Sequence, residues 1–326
     1  MNEEYVIQVS ELTKYYDKHL AVDNINFNVK QGEIFGFLGP NGAGKTTTIR
    51  MLTGLSKPSK GNASILGFNQ HNEIVEVKKH IGVVPERSNL YDELSGLDNL
   101  IFIGQLYGVP RHLRRKRAEE LLKMFGLYER KDSLFRTYSR GMKRSLTIAA
   151  ALVHHPKILF LDEPTVGLDV VAARSLRNLI NNLKSKGITI FLTTHYLEEA
   201  DMLCDRVGII VKGCIIKIDT PNQLKKAIAD DSIIECIFTH ELSEKQMKML
   251  TKRFSKSRII SKDSQTIHIS GGVPNEVYEE LTLFAKEQNI QLESINSIKP
   301  SLEDAFIKIT GLSPIVMAVE KGGKNQ

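Results

Sequence analysis

The feature that most limits the fold of this chain is the glycine-rich segment Gly39-Pro40-Asn41-Gly42-Ala43-Gly44-Lys45-Thr46. It matches the pattern G-x-x-x-x-G-K-[ST], in which glycines let successive backbone N–H groups converge on phosphate oxygens. The apolar run Ile34–Leu38 precedes it and predicts a buried strand, and a helical pattern runs from Thr46 to Leu55. A strand, a glycine loop and a helix in this order predict an α/β fold that binds phosphates at the positive end of the helix.

The phosphate loop and a second segment assign roles to four side chains. Lys45 is expected to contact the β- and γ-phosphates of a nucleotide, and the Thr46 hydroxyl to bind Mg²⁺. The apolar run Ile158–Leu161 ends in Asp162 and Glu163, at the strand end where parallel sheets bind ligands. Asp162 is therefore predicted to hold Mg²⁺ through water, and Glu163 to act as the general base on an attacking water. An Asp-Glu pair by itself would more often be an exposed acidic loop.

A histidine follows a third predicted core strand. His195 comes after Ile188–Leu192 and Thr193-Thr194, so it is expected at the same sheet edge as Lys45 and Asp162. It could donate a hydrogen bond to a γ-phosphate. A single histidine is more often a structural residue, and that alternative stays open.

Length and composition exclude several classes of protein. The chain has 326 residues, 41% of them hydrophobic and 25% charged, which excludes a disordered or collagen-like chain and fits about two domains. No apolar run reaches the ~18 residues of a membrane-spanning helix. The three cysteines form no C-x-x-C pair, which favours a reducing cytoplasm. The net charge is +6. The densest basic cluster of the chain, residues 111–117, is either a solvated helix face or a contact for anionic lipid or nucleic acid.

The pattern of elements predicts the domain organisation. Residues 1–229 form the nucleotide-binding domain, with a helical subdomain at about residues 88–156, where strand patterns disappear. The boundary is placed at Ala229–Ser232. Residues 230–312 follow the order strand, helix, strand, strand, helix, strand, which is the ferredoxin-like βαββαβ arrangement of a small α+β domain. A last helix begins at Ser301, with Asp304 completing a capping box, and residues 313–326 are expected to be a flexible tail.

Taken together, these motifs resemble the nucleotide-binding subunits of ATP-binding cassette (ABC) transporters over about residues 5–229. Residues 39–46, with Thr47 beside them, resemble the Walker A loop, and Ile158–Asp162 with Glu163 resemble Walker B and its catalytic glutamate. Tyr16 resembles the aromatic side chain that stacks on adenine. Tyr15 is the other candidate for this role, and the structural alternative is that Tyr16 is a tyrosine of the core. The remaining matches are Asp169 of the D-loop, His195 as the switch histidine, and Ser139 and Gly141 of the family signature.

The chain departs from the usual family pattern at two places. In the signature, Tyr138, Arg140 and Met142 replace the first, third and fifth residues of Leu-Ser-Gly-Gly-Gln. In the Q-loop, Glu86 stands where glutamine is expected, and its carboxylate is either an additional Mg²⁺ ligand or a contact for the permease. Both departures, and the segment 300–306, are similar to the drug-, antibiotic- and sodium-efflux branch of exporters.

The resemblance implies an ATPase that uses ATP and Mg²⁺ and drives a separate transmembrane permease at the cytoplasmic face of the cell membrane. It further implies a head-to-tail dimer with a second cassette, expected to be an identical copy, in which Ser139 and Gly141 of one copy face Lys45 of the other. The alternative is a soluble ABC ATPase acting on nucleic acid or ribosomes, for which the basic cluster at 111–117 is the only support. A P-loop kinase or GTPase would leave Ser139 and Gly141 unexplained.

Overall fold

The computed structural model describes residues 5–228, 233–255 and 257–312. The strands in this part of the chain are β1 (Tyr5–Tyr16), β2 (His19–Lys30), β3 (Ile34–Leu38), β4 (Lys60–Ile65), β5 (Phe68–Asn69), β6 (Ile81–Val84), β7 (Ile158–Asp162), β8 (Thr189–Thr194), β9 (Arg206–Val211), β10 (Cys214–Asp219), β11 (Ile233–Phe238), β12 (Arg258–Ser261), β13 (Thr266–Ser270) and β14 (Leu292–Ile298). The α-helices are α1 (Lys45–Leu52), α2 (Ile74–His80), α3 (Gly96–Leu106), α4 (Arg111–Met124), α5 (Arg140–Leu152), α6 (Val170–Ser185), α7 (Leu197–Leu203), α8 (Pro221–Lys226), α9 (Glu244–Arg253), α10 (Pro274–Glu287) and α11 (Leu302–Thr310).

The chain divides into two compact units. One holds the residues up to Pro221, and the other is Asn222–Gly311. The boundary expected at Ala229–Ser232 and the tail expected at residues 313–326 lie outside the described residues. No helix of the described residues is both long enough and apolar enough to cross a bilayer.

A six-stranded sheet forms the centre of the first unit, in the order β10-β9-β3-β8-β7-β6. All its neighbours pair in parallel except β10, which is antiparallel to β9. The strands β3, β7 and β8 are buried along their whole length, as the continuous apolar runs predict for strands covered on both faces.

The strand order decides where the functional segments meet. β8 lies between β3 and β7, so that Leu38 pairs with Thr194 and Asp162 pairs with Thr193. The phosphate loop leaves β3, the acidic pair ends β7, and His195 follows β8. Because parallel strands end at one edge, three segments that are distant in sequence become neighbours.

A second sheet in this unit is antiparallel, in the order β2-β1-β4-β5. It shares one apolar core with the six-stranded sheet, in which the ring of Phe27 lies 5.6 Å from those of Phe35 and Phe37 and 5.9 Å from that of Phe191, between centroids. The sequence pattern does not predict β4, because its residues Lys60–Asn62 are exposed and break the apolar alternation.

The helices α3, α4 and α5 lie between β6 and β7, with two short 3₁₀ turns at Tyr128–Arg130 and Phe135–Thr137. Ser95 begins α3 and Ser139 begins α5 as N-caps that accept hydrogen bonds from backbone N–H groups of the first turn. In the basic cluster, Arg114 donates to the Val109 carbonyl and to Gln105, and Arg115 pairs with Glu119, so part of the cluster stabilises α4 itself.

The second unit begins within α8 and then has the element order β11, α9, β12, β13, α10, β14, followed by α11. Its sheet is antiparallel with the order β12-β13-β11-β14. Leu250 of α9 and Leu281 of α10 are fully buried in its apolar core. Ser301 and Asp304 form the capping box expected at the start of α11.

Candidate active site

The phosphate loop connects β3 to α1 through backbone that only glycine adopts easily. Gly44, the residue before α1, has φ +105°, and a Cβ on Gly39 would overlap the backbone carbonyl of Ile210. The Ala43 N–H donates to the Pro40 carbonyl at 3.1 Å, which closes the loop. Asn41 and Gly42 are exposed at its tip, and Thr47 is half-buried behind it. The loop therefore presents its backbone to the start of α1, as a phosphate cradle requires.

The ammonium of Lys45 is buried inside this loop, with the side chain 5% exposed. It donates to the carbonyls of Gly39 at 2.6 Å and Pro40 at 3.2 Å, and it lies 3.0 Å from a carboxylate oxygen of Glu163. The first residue of α1 and the end of β7 are thus held together by a buried ion pair.

Two hydroxyls hold the carboxylate of Asp162. Thr46 Oγ1 donates to Asp162 Oδ1 at 3.2 Å, and Thr193 Oγ1 donates to the same oxygen at 2.5 Å. The structure therefore brings together the two side chains that the sequence assigns to Mg²⁺. Hydroxyl and carboxylate oxygens are the hard ligands that Mg²⁺ prefers, and one carboxylate with a hydroxyl suits an ion whose other ligands are phosphate and water. Among the described residues, no cluster of three or more His, Cys, Asp or Glu side chains could hold a metal by itself.

Glu163 lies between two basic groups. Its Oε1 is 3.0 Å from Lys45 Nζ, and its Oε2 is 2.9 Å from His195 Nδ1. Burial raises the pKa of the Glu163 carboxyl, but the hydrogen bond with His195 and the charge of Lys45 outweigh it, so the pKa lies below its usual value. Glu163 is therefore ionised at neutral pH and is able to accept a proton.

The residues that resemble the family signature and the D-loop lie at the starts of α5 and α6. Ser139 Oγ accepts from the Met142 N–H at 3.3 Å at the start of α5, and Asp169 Oδ1 accepts from the Ala172 N–H at 2.8 Å at the start of α6. Gly141 lies against Ala172, since a Cβ at this glycine would approach the Ala172 methyl to 3.1 Å. Within the described residues, neither Ser139 nor Asp169 hydrogen-bonds to Lys45, Glu163 or His195.

The three remaining candidates are exposed. Tyr16 and Tyr15 have exposed fractions of 41% and 42%, so exposure does not decide which of them meets a base. The ammonium of Lys14 lies 4.9 Å from the centre of the Tyr16 ring. The side chain of Glu86 is exposed and, within the described residues, makes no hydrogen bond or ion pair with Thr46 or Asp162.

Three residues near the site were not identified from the sequence. Thr193 supports both acidic residues, because its hydroxyl donates to Asp162 and accepts from the Glu163 N–H at 3.1 Å. The sequence feature that could have identified Thr193 is its place at the end of an apolar strand, two residues before His195. Glu199 of α7 is 1% exposed, and burial raises the pKa of its carboxyl. Arg144 of α5 is 8% exposed. It lies among the buried residues of an amphipathic helix, and a cation at such a position is the sequence feature that could have identified it.

Comparison with known proteins decides the family. The family model described as ABC transporter matches residues 22–166. The linearmycin resistance ATP-binding protein LnrL of Bacillus subtilis is 36% identical over 306 residues, covering 94% of this chain and 98% of its own. The chain belongs to the ABC transporter family. It is an ATP-binding subunit of the ABC transporter type and an ATPase.

Further relatives of this ABC subunit carry names from antibiotic resistance and transport. The daunorubicin/doxorubicin resistance ATP-binding protein DrrA of Streptomyces peucetius is 35% identical, covering 94% of this chain and 92% of its own. The bacitracin transport ATP-binding protein BcrA of Bacillus licheniformis is 36% identical, covering 94% and 97%. These relatives agree with the drug-exporter branch that the sequence resembles, and they favour a transporter subunit over an ATPase acting on nucleic acid or ribosomes.

Solved structures show the same cassette fold. The cbiO1 protein from Clostridium perfringens, part of an ABC transporter complex, has a TM-score of 0.63 at 31% identity, covering 70% of this chain and 94% of that one. A dimeric ATP-binding cassette in a post-hydrolysis state with ADP and Pi has a TM-score of 0.60 at 28% identity, covering 66% of this chain and 98% of that one. The α/β P-loop fold of the first unit is thereby confirmed.

Proposed function

We propose that this subunit hydrolyses ATP with Glu163 as the general base and drives export through a separate transmembrane permease. The observation that carries the proposal is the convergence of Lys45, Glu163 and His195, with Glu163 within 3.0 Å of both basic groups. Lys45 contacts the β- and γ-phosphates. Glu163 accepts a proton from the attacking water while the oxygen of that water bonds to the γ-phosphorus, and the bond between the γ-phosphorus and the leaving ADP breaks. His195 holds the carboxylate and donates to the γ-phosphate.

Thr46 and Asp162 hold Mg²⁺ in this proposal, on the strength of their shared hydrogen bond at 3.2 Å. When bound, Mg²⁺ would neutralise charge on the β- and γ-phosphates. Glu86 remains either a further ligand or a permease contact. Its exposed side chain supports the second role.

The active assembly is proposed to be a head-to-tail homodimer. Ser139, Gly141 and Asp169 lie at the N-termini of α5 and α6 and, within the part of the structure that is described, make no hydrogen bond or ion pair with Glu163 of their own chain. A second copy could place the α5 N-terminus against a γ-phosphate bound at Lys45, because a helix N-terminus favours an anion. Tyr16 then stacks on adenine.

The subunit is proposed to work at the cytoplasmic face of the membrane, attached through the permease. Relatives named for linearmycin, daunorubicin/doxorubicin and bacitracin support export of an antibiotic-type compound. The sheet order β12-β13-β11-β14 supports a ferredoxin-like second domain, and we assign it a regulatory or dimer-bracing role because all the proposed ATP-site residues lie in the first unit.

The test is Glu163→Gln. The amide cannot accept a proton from water, so turnover is expected to be lost while ATP binding is kept, and Mg-ATP is expected to trap a dimer visible by gel filtration. Lys45→Ala is the control that should lose ATP binding and therefore the dimer. Turnover at the native rate by Glu163→Gln would remove Glu163 from the proposed role, and a chain that stays monomeric with bound ATP would exclude the dimer.

A further inference from the structure

Arg144 of α5 connects three segments of the chain through backbone carbonyls. The guanidinium donates from Nη2 to Asp162 O at 2.7 Å and from Nε to Pro164 O at 2.9 Å. Its Nη1 donates to the carbonyls of Pro85 and Glu86, in the loop that follows β6. One side chain therefore joins α5, the end of β7 and the loop after β6.

The two carbonyls near the end of β7 belong to the residues on either side of Glu163. Glu163 itself has φ +47°, a left-handed conformation that a residue with a side chain adopts only where its surroundings enforce it. The Glu163 N–H donates to Thr193 O and to Thr193 Oγ1, each at 3.1 Å. Arg144 fixes the flanking peptides and Thr193 fixes the N–H, so the strained turn that points Glu163 at Lys45 is held from both sides.

The chemistry of a guanidinium suits this position. Its fork of N–H groups lies in one plane and can reach several carbonyls at once, which a lysine ammonium at the end of a flexible stem cannot do. Burial lowers the pKa of Arg144 to about 10, so it remains cationic at neutral pH, and the carboxylates of Asp162, Glu199, Glu86 and Glu163 favour its charged form.

We propose that Arg144 is a positioning residue for hydrolysis, which holds Glu163 in its reactive orientation and ties that orientation to the loop after β6. The inference rests on the role proposed above for Glu163. Among the described residues, Arg144 makes no hydrogen bond to the phosphate loop. Substitution of Arg144 therefore changes the turn at Glu163 and leaves the phosphate loop in place. As a consequence, the rate of hydrolysis depends on Arg144, whereas the affinity for ATP does not.

The experiment compares Arg144→Lys and Arg144→Gln with the wild type in the full-length chain. ATP affinity and binding stoichiometry are measured with a fluorescent ATP analogue, and turnover is divided by the number of binding-competent sites. We expect turnover per competent site to fall at least tenfold for both variants, with the dissociation constant for ATP within about threefold of the wild type. Ile148→Val, a buried change on the same helix, is the matched control and should leave turnover per site unchanged.

The decisive measurement places Arg144→Lys in the Glu163→Gln background and follows slow single-turnover hydrolysis of labelled ATP. If Arg144 acts through Glu163, the second change should lower the residual rate by less than about threefold, because the group it positions is already disabled. Each of three results would overturn the inference. They are a single-turnover rate in the double variant that is lowered by the full factor of Arg144→Lys alone, native turnover per site in Arg144→Lys, or a loss of ATP affinity that parallels the loss of rate. Active Glu163→Gln alone would instead contradict the proposed role of Glu163, so the two failures are distinguishable.

Discussion

At the scale of single residues, the site is a small network of opposite charges. Glu163 accepts from Lys45 and pairs with His195, so its carboxylate is held on both oxygens. Asp162, its neighbour, is held instead by the neutral hydroxyls of Thr46 and Thr193. Two adjacent carboxylates thus have different surroundings, which is the usual way in which a site separates a base from a metal ligand.

The lowered pKa of Glu163 predicts how stability depends on pH. A carboxyl whose pKa is lower in the folded than in the unfolded chain stabilises the fold above the unfolded value of about 4.3, and this contribution is lost as the pH falls through the folded pKa. The free energy of unfolding of the wild type, relative to Glu163→Gln, is therefore expected to decrease as the pH is lowered from about 5.5, above the unfolded value, to below the folded pKa.

Urea unfolding of both proteins, followed by circular dichroism across this pH range, gives the difference directly. Only the wild type can take up a proton at position 163, and carboxyl groups far from this position contribute equally to both proteins. A difference that is constant with pH would mean that the Lys45 and His195 contacts do not lower the pKa of Glu163.

At the scale of elements, helix starts carry residues that also belong to the family motifs. Ser139 begins α5 and Asp169 begins α6, each with a side-chain oxygen that accepts from an N–H of the first turn. A residue can therefore match a functional motif and be required by its own helix. A loss of activity on its substitution does not by itself demonstrate contact with nucleotide.

Asp169 allows the two contributions to be separated. Asp169→Ala removes the cap on α6 and should lower the free energy of unfolding by ~1 kcal/mol, whereas Asp169→Asn keeps a capping oxygen and should retain most of it. The measurement is chemical unfolding of the isolated subunit. If Asp169→Asn is as stable as the wild type but hydrolyses ATP more slowly, the carboxylate has a role beyond the cap. Equal losses of stability in both variants would contradict the capping role.

At the scale of the whole molecule, the chain consists of a catalytic unit and a second unit with its own core. The apolar core of the second unit, which includes Phe238, Leu250 and Phe284, belongs to β11 and the elements after it. The residues proposed to bind ATP lie in the unit that ends at Pro221. The second unit is therefore expected to affect assembly or coupling more than nucleotide binding.

Truncation after Ile228 tests this division of roles. The shortened chain is expected to fold and to bind ATP with an affinity within about threefold of the full-length chain, because separate cores fold as separate units. Calorimetric titration with ATP and Mg²⁺ is the measurement, and gel filtration of the Glu163→Gln form would report any change in dimer stability. A truncated chain that folds without binding ATP would contradict the assignment.

Much of the fold could be predicted from local patterns. The phosphate loop, the buried strands β3, β7 and β8, and the capping box at Ser301 and Asp304 all depend on residues close together in the sequence. The elements β4, β5 and α2 were not predicted, because they are short and largely polar: β4 acquires its structure by pairing with β1, β5 by pairing with β4, and α2 by packing against β5 and β6.

The sequence by itself determined the chemistry proposed for the site, since the types and order of Lys45, Asp162, Glu163 and His195 are those expected for phosphate binding and hydrolysis. Only the tertiary structure decided which groups meet: the parallel order β3-β8-β7 brings Lys45 to Glu163, and the packing of α5 brings Arg144 to the carbonyls beside Glu163. The physical reason is that backbone carbonyls are alike at every position. Which of them a buried arginine reaches therefore depends on how the elements pack, and no local pattern of side chains records it.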